Sequence, residues 1–292
     1  MELLIQQILS GIATGSIYAC LALSAVMIYQ AIGHINFAQG EMAMFSTYGA
    51  FQLISMGVPY WVAFVAVVAL SFVGGMAVER VMMRPLLKAS VFSQVVMFIA
   101  LLTLFNAGAG FFWDYTVRAF PSPFGSQPFL GFSLLSQHQA GMLGITVLLL
   151  GLLFLFFRFT RVGLSMTAAA ADPVSARLVG IRVGWMIALG WGMAAAIGAI
   201  AGMLIAPVVF LDPNMMMSIL VYGFTGAVLG GLTSPAGAVL GGIIVGIVEN
   251  LVGTYVPVIG GELRLTIALA IIVVMLVVRP RGLIGRKIVE RV

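Results

Sequence analysis

Of the 292 residues, 62% are hydrophobic and only 8% are charged, with a formal net charge of +5. An ordinary soluble domain carries about 25% charged residues, and its wetted exterior cannot hide so much apolar surface, so a soluble fold is excluded. The single cysteine, Cys20, excludes an intramolecular disulfide and a cysteine-cluster metal site.

In lipid every backbone N–H and C=O must be satisfied within the protein, which leaves helices or closed barrels. Unbroken apolar runs such as Val62 to Val78 and Leu265 to Val278 favour helices, and no alternating ten-residue strands of a barrel appear. Met1 and Glu2 lead into an apolar segment with no basic region and no small-residue cleavage signal, so no removable signal peptide is expected. A crossing helix needs about 20 apolar residues. Eight apolar segments meet or approach that length, at about 8–29, 41–56, 59–79, 91–112, 140–158, 185–209, 216–232 and 236–256, with a ninth closing run at about 263–278. The second and seventh are short and follow turn-like stretches, so each is either a full crossing or a broken, re-entrant helix. The expected fold class is an all-α integral membrane protein of about eight transmembrane helices.

The basic residues set the orientation. Arg80, Arg84 and Lys88 follow the third run, Arg158, Arg161, Arg177 and Arg182 occupy the central loop, and Arg279, Arg281, Arg286, Lys287 and Arg291 fill the tail. By the positive-inside rule all three segments face the cytoplasm. This placement reads as topology and not as a nucleic-acid-binding face. The stretch from Trp113 to Gln139 carries only Arg118 beside Asp114, and it is expected outside. Counting spans from either basic loop puts the N-terminus outside and the C-terminus inside. Glycines recur in small-xxx-small settings (Gly226 and Gly230, Gly237 and Gly241, Gly242 and Gly246), a spacing that lets helix backbones approach closely in lipid.

Three polar stretches stand out. Gly33-His34-Ile35-Asn36-Phe37-Ala38-Gln39-Gly40-Glu41 lies between two apolar runs. An ionisable residue so placed is costly unless it faces a cavity, a partner or an interface. Two readings stay open: a broken helix lining a substrate pathway, or an interfacial loop in which Asn36 or Gln39 caps a helix. Glu249 falls inside the 236–256 run and is a candidate for a buried polar contact. Glu262 with Arg264 opens the last run and marks the outer interface, where both side chains reach water. His34 and His138 are isolated from other ligand types, which argues against a metal site. In the central loop, the alanine run around Ala170 and Ala171 favours a short helix. Asp172 before Pro173 has the pattern of an N-cap, and Gly180 is placed to end a second helix. Two such helices form a projection that a soluble partner grips, or a structured connector with no partner.

Along nearly its whole length the chain resembles permeases of the branched-chain amino-acid ABC transporters, of the LivH type. The resemblance runs through Gly11 to Tyr18, Ile35-Asn36-Phe37-Ala38-Gln39-Gly40-Glu41, Glu79-Arg80 with Arg84-Pro85-Leu86, Asp172-Pro173 then Ala176 and Gly180-Ile181, Val228 to Gly231 before Gly237-Ala238, and Arg279-Pro280 then Gly282-Leu283. It implies a single permease domain, 1–292, that translocates leucine, isoleucine or valine across the bacterial inner membrane. Implied partners are a second permease subunit of the LivM type, two cytoplasmic ATPase subunits, a periplasmic binding protein and membrane lipid. The loop 158–184 would supply the coupling helix, through Ala170, Ala171, Asp172, Ala176 and Gly180. Asn36, Phe37, Gln39, Gly40, Glu41 and Glu249 are the candidate pathway residues. The family usually has histidine where Gln39 stands, which bears on cargo, and often arginine where Thr167 stands, which bears on docking.

No ATP is expected on this chain. A phosphate-binding Gly-Lys loop needs its lysine, and neither lysine, Lys88 or Lys287, follows a glycine. ATP would be used by partner subunits. No cofactor, metal or enzymatic constellation is expected. The alternatives are a related permease for urea, short amides or another amino acid, and an ion-driven secondary transporter. The latter would need several intramembrane acids or histidines, and only Glu41 and Glu249 qualify.

Overall fold

The computed structural model describes residues 2–33, 35–86, 89–125, 127–129, 132–256 and 263–285. His34, Lys88, Glu262, Arg286, Lys287 and Arg291 lie outside the described residues. The elements are α1 (Glu2–Ile32), α2 (Gln39–Ser55), α3 (Tyr60–Val78), α4 (Val91–Trp113), β1 (Pro128–Phe129), β2 (Phe132–Ser136), α5 (Gln137–Phe159), α6 (Arg161–Ala171), α7 (Pro173–Leu178), α8 (Val183–Val209), α9 (Met216–Gly230), α10 (Pro235–Tyr255) and α11 (Arg264–Val278). The chain is thus an all-α integral membrane protein, with one small antiparallel hairpin, β1–β2, among the described residues. That hairpin falls in the stretch 113–139, which carries no strand signal that stands above its prolines and serines.

Local chemistry explains the boundaries. Gly33, at φ +76°, ends α1 in a conformation that other residues rarely adopt. Ser90 caps α4 by accepting from the Ser93 N–H at 3.2 Å, and Ser234 caps α10 by accepting from the Gly237 N–H at 3.1 Å, ahead of Pro235. Beyond Val78, α3 continues through a π-helical turn, Glu79–Met83, and a 3-10 turn, Arg84–Leu86.

Among the described residues six helices are long and apolar enough to span a membrane: Glu2–Gln30, Tyr60–Leu86, Val91–Trp113, Gln137–Phe159, Val183–Val209 and Pro235–Tyr255. The short runs remain short in three dimensions. With 17 residues, α2 is about 26 Å long, and α9 and α11, with 15 each, are about 22 Å, all less than a hydrocarbon core of about 30 Å. Large apolar side chains such as Val73, Phe92, Phe111 and Leu148 are exposed along α3, α4 and α5, where lipid solvates them.

The residues group into two compact units. One holds residues 1–26, 124–144 and 218–292, the other 27–123 and 145–217. In the first, α1, α9 and α10 meet backbone to backbone through glycine. A Cβ added at Gly226 would stand 2.7 Å from the Gly242 Cα, one at Gly15 2.9 Å from the Ile243 Cα, and one at Gly246 would collide with Gly15. The small-xxx-small spacing therefore serves tight packing. Gly226→Ala is expected to destabilise the protein by about 1–3 kcal/mol, the usual cost of overpacking. The check is the thermal midpoint in detergent, and an unchanged midpoint would contradict this packing.

In the second unit α8 is the central helix. Gly75 of α3 faces the Trp191 carbonyl, where a Cβ would come within 2.6 Å, and Gly192 faces the Phe72 carbonyl at 2.7 Å. Trp191 is fully buried and packs with Ile28, Met42, Met83, Phe98, Ala194 and Ala195.

Candidate functional site

The stretch from Asn36 to Glu41 opens α2 in the second unit, and most of it is buried. Asn36 and Gln39 are 0% exposed and Glu41 is 2% exposed. Gly40 is buried beside them, and Phe37 is exposed. Neither Asn36 nor Gln39 caps α2 through its side chain; Ala38 stands at the cap position. The Asn36 Oδ1 accepts from the Ala38 N–H at 2.9 Å, a local turn that starts α2. Gln39 instead reaches across to α8, where its Nε2 donates to the Ala194 carbonyl at 2.8 Å. Gly198 makes room for it, since a Cβ there would stand 2.9 Å from that nitrogen. The Asn36 Nδ2 and Gln39 Oε1 are buried without a partner among the described residues. Such orphaned groups are expensive to leave in a dry interior.

Glu41 lies deeper. Its Oε2 faces the Asn106 Nδ2 of α4 at 3.4 Å, while the same nitrogen donates more closely to the Pro213 carbonyl at 2.9 Å and the Asn214 Oδ1 at 3.2 Å. Asp212 is the charged neighbour that bears on Glu41. A buried carboxyl group with one long amide contact keeps acceptor capacity for a hydrogen-bond donor or a cation. Asn106 is a residue that sequence reading passed over, although an asparagine within an apolar run is a readable signal.

Glu249 belongs to the first unit. Its Oε2 accepts from the Tyr18 hydroxyl at 2.7 Å, and its Oε1 lies 4.0 Å from the Arg264 Nη1. Tyr18 is buried and stacks on Tyr222, with centroids 4.9 Å apart. Arg264, expected at the outer interface, opens α11 with its side chain 38% exposed and also reaches toward Glu249.

The loop after α5 forms the expected pair of short helices. The Asp172 Oδ1 accepts from the Val174 N–H at 2.9 Å and the Ser175 N–H at 3.1 Å, with Pro173 in the first turn of α7. The Ser175 hydroxyl first, then the backbone N–H groups of Ser175 and Val174, hold the Asp172 carboxyl below its ordinary value. A depressed value means that the cap is intact above the normal carboxylate range and is lost only as pH falls through the folded value. Gly180, at φ +85°, ends α7, and the Ile181 N–H closes back on the Ala176 carbonyl at 3.0 Å. Ala170, Ala171 and Asp172 are exposed, whereas Ala176 is buried against Ala169 and Val183. Ala176 is thus a strut between the helices and offers no surface to a partner. Thr167 turns its hydroxyl back to the Gly163 carbonyl at 3.0 Å.

A clamp joins this region to α3. Arg84 grips Glu79, with Nη2 3.2 Å from Oε2, and donates to the Gly184 carbonyl of α8 at 2.6 Å. Arg80 lies over the Trp185 ring at 3.7 Å. These contacts give the Glu79-Arg80 and Arg84 pattern a structural reason.

The family profile described as branched-chain amino acid transport system / permease component matches residues 7–278. The chain belongs to that family. As a member it is a multi-pass membrane permease of a transport system. The permease is 32% identical to the "High-affinity branched-chain amino acid transport system permease protein LivH" of Escherichia coli (strain K12), over 99% of this chain and 97% of that one. It is 31% identical to the corresponding protein BraD of Pseudomonas aeruginosa, over 99% and 98% of the two chains. Among solved structures it is similar to "PsaBC from Streptococcus pneumoniae in complex with Fab", with a TM-score of 0.52 and 12% identity over 93% of this chain and 91% of that one. At that identity the likeness concerns the fold alone.

Proposed function

We propose that this permease is one of two membrane subunits of an ATP-binding-cassette importer that carries leucine, isoleucine and valine across the bacterial inner membrane. Its N-terminus is outside and its C-terminus is in the cytoplasm. A second permease subunit of the LivM type pairs with it, a periplasmic binding protein delivers the cargo, and two cytoplasmic ATPase subunits consume the ATP. The chain itself binds no cofactor and catalyses no reaction. Family membership and the relatives' names support the cargo, and Asn36, Phe37, Gln39, Gly40, Glu41 and Glu249 are the residues proposed to meet it.

The observation that carries the coupling role is the apolar tip of α7. Val174, Leu178 and Val179 are 67%, 84% and 78% exposed. They stand among Arg161, Arg177 and Arg182, on a segment whose charge keeps it out of lipid. Apolar side chains left in water beside a membrane protein mark a protein-binding surface. The ATPase subunit is the proposed occupant, gripping α6 and α7 at Ala170, Ala171 and Asp172. The packing of Ala169 and Ala176 on Val183 then joins the docked helices to α8, which the Arg84 and Arg80 contacts join to the end of α3. Motion of the loop would pass into the helices as a rigid-body shift.

Co-purification tests this. The wild-type permease, expressed with its ATPase subunits, is expected to retain them. Leu178→Arg is expected to insert normally and to hold them at least about thirtyfold more weakly, the effect of losing an interface anchor of about 2 kcal/mol. Equal retention by the two would remove α7 from the docking surface.

A further inference from the structure

Two stretches that carry the family resemblance have no part in the pathway or the coupling loop: Val228 to Gly231, and Arg279-Pro280 with Gly282-Leu283. The structure brings them together within the first unit. Beyond α11 the chain turns sharply at Gly282, whose φ of +72° suits glycine. The Leu283 N–H then donates to the Leu229 carbonyl at 2.8 Å, and the Ile284 N–H to the Gly230 carbonyl at 3.0 Å. These bonds satisfy acceptors that the end of α9 would otherwise leave open. Gly231 completes the fit, since a Cβ there would stand 2.7 Å from the Arg281 carbonyl oxygen and 2.9 Å from the Gly285 Cα. Backbone contacts therefore fix this turn, without help from its arginine side chains.

Those arginines have another setting. Val278, Arg279, Pro280, Arg281, Gly282 and Gly285 line a cavity of about 390 Å³. Ligand pockets run from about 300 to 1,000 Å³, so this one holds a small group. Neither guanidinium has a hydrogen bond or an ion pair among the described residues. Val277 and Val278, 78% and 76% exposed, continue the apolar surface of α11 up to the cavity. Orientation by charge alone asks only that arginines stand near the interface. It asks for neither a fixed turn nor a cavity.

We propose that this cavity binds the phosphate of an anionic glycerophospholipid. Arg279 and Arg281 grip the phosphate oxygens, and the acyl chains lie along Val277 and Val278 on α11. Basic pockets at the cytoplasmic side of transmembrane helices recognise such headgroups. Assignment to the cytoplasmic leaflet rests on the orientation proposed above, whereas the binding itself does not.

The test therefore uses detergent-solubilised protein, in which leaflets play no part. The full-length permease, purified with its partner subunits, is titrated with phosphatidylglycerol or phosphatidylcholine, and bound lipid is read by native mass spectrometry. The wild type is expected to prefer phosphatidylglycerol at least about tenfold. Arg279→Gln with Arg281→Gln is expected to abolish that preference. Arg158→Gln with Arg161→Gln, which removes the same charge from another segment, is expected to keep it. Val278→Glu guards against a folding failure, because it changes an exposed residue and sets a carboxylate beside both arginines. It is expected to lose the preference with an unchanged thermal midpoint. A preference that survives in Arg279→Gln with Arg281→Gln or in Val278→Glu, or that both double variants lose equally, would overturn the proposal. Displacement of the lipid by inorganic phosphate would overturn it too, by making the cavity a site for free anions.

Discussion

Ala171→Arg is expected to leave the permease folded in the membrane and to cut ATP-driven uptake at least about thirtyfold, the effect of losing about 2 kcal/mol at an interface anchor. Ala171 is the last residue of α6 and is exposed. A cation at a helix C-terminus is favourable there, so the helix itself tolerates the arginine. The buried strut, Ala169 and Ala176 against Val183, is untouched. What changes is the surface: a long charged side chain now stands where a closely fitted partner would have to seat. Membrane insertion is read by fractionation and coupling by uptake in vesicles energised with ATP. Unchanged uptake would mean that the loop is a connector.

The second large effect is expected at Glu41. Glu41→Ala removes a carboxyl group that is 2% exposed, yet it leaves Asn106 satisfied by the Pro213 carbonyl and the Asn214 Oδ1. The fold should therefore survive, with assembly intact in size-exclusion chromatography. Transport is expected to fall at least about tenfold, or about 1.4 kcal/mol on the translocation barrier. Glu41→Gln keeps the shape without the charge and separates the two roles. If charge meets the cargo, Gln fails as Ala does. If both variants transport normally, Glu41 is a buried structural residue and the pathway lies elsewhere.

How much of this was readable depended on the range of each interaction. The Asp172-Pro173 cap and the Gly180 terminator were legible, because each acts within a few residues and leaves a local signature. The glycine spacing on α9 and α10 was legible as packing, though not which helices would meet. Asn36 was legible only in part, since its turn is local while the burial of Gln39 depends on Ala194 and Gly198, far along the chain. Glu249 stood out as a charge in an apolar run. Its partner Tyr18 is 231 residues away, and no pattern in sequence could supply it. Arg264 was placed at the interface because water is near there, and its approach to Glu249 across 4.0 Å is a contact between helices that no local pattern carries. The π-helical turn at Glu79–Met83 had no sequence signal, yet it precedes the 3-10 turn that opens with Arg84, which clamps α8.

The proposed function requires this chain to move branched-chain amino acids only as part of an ATP-driven complex. The most direct measurement is uptake of labelled leucine into proteoliposomes holding the permease, its partner permease and both ATPase subunits, with binding protein outside and ATP inside. Uptake is expected to require both ATP and the binding protein, to be competed by isoleucine and valine but not by urea, and to persist when ionophores collapse every ion gradient. Uptake that continues without ATP and stops with the ionophores would contradict the account and identify a secondary transporter.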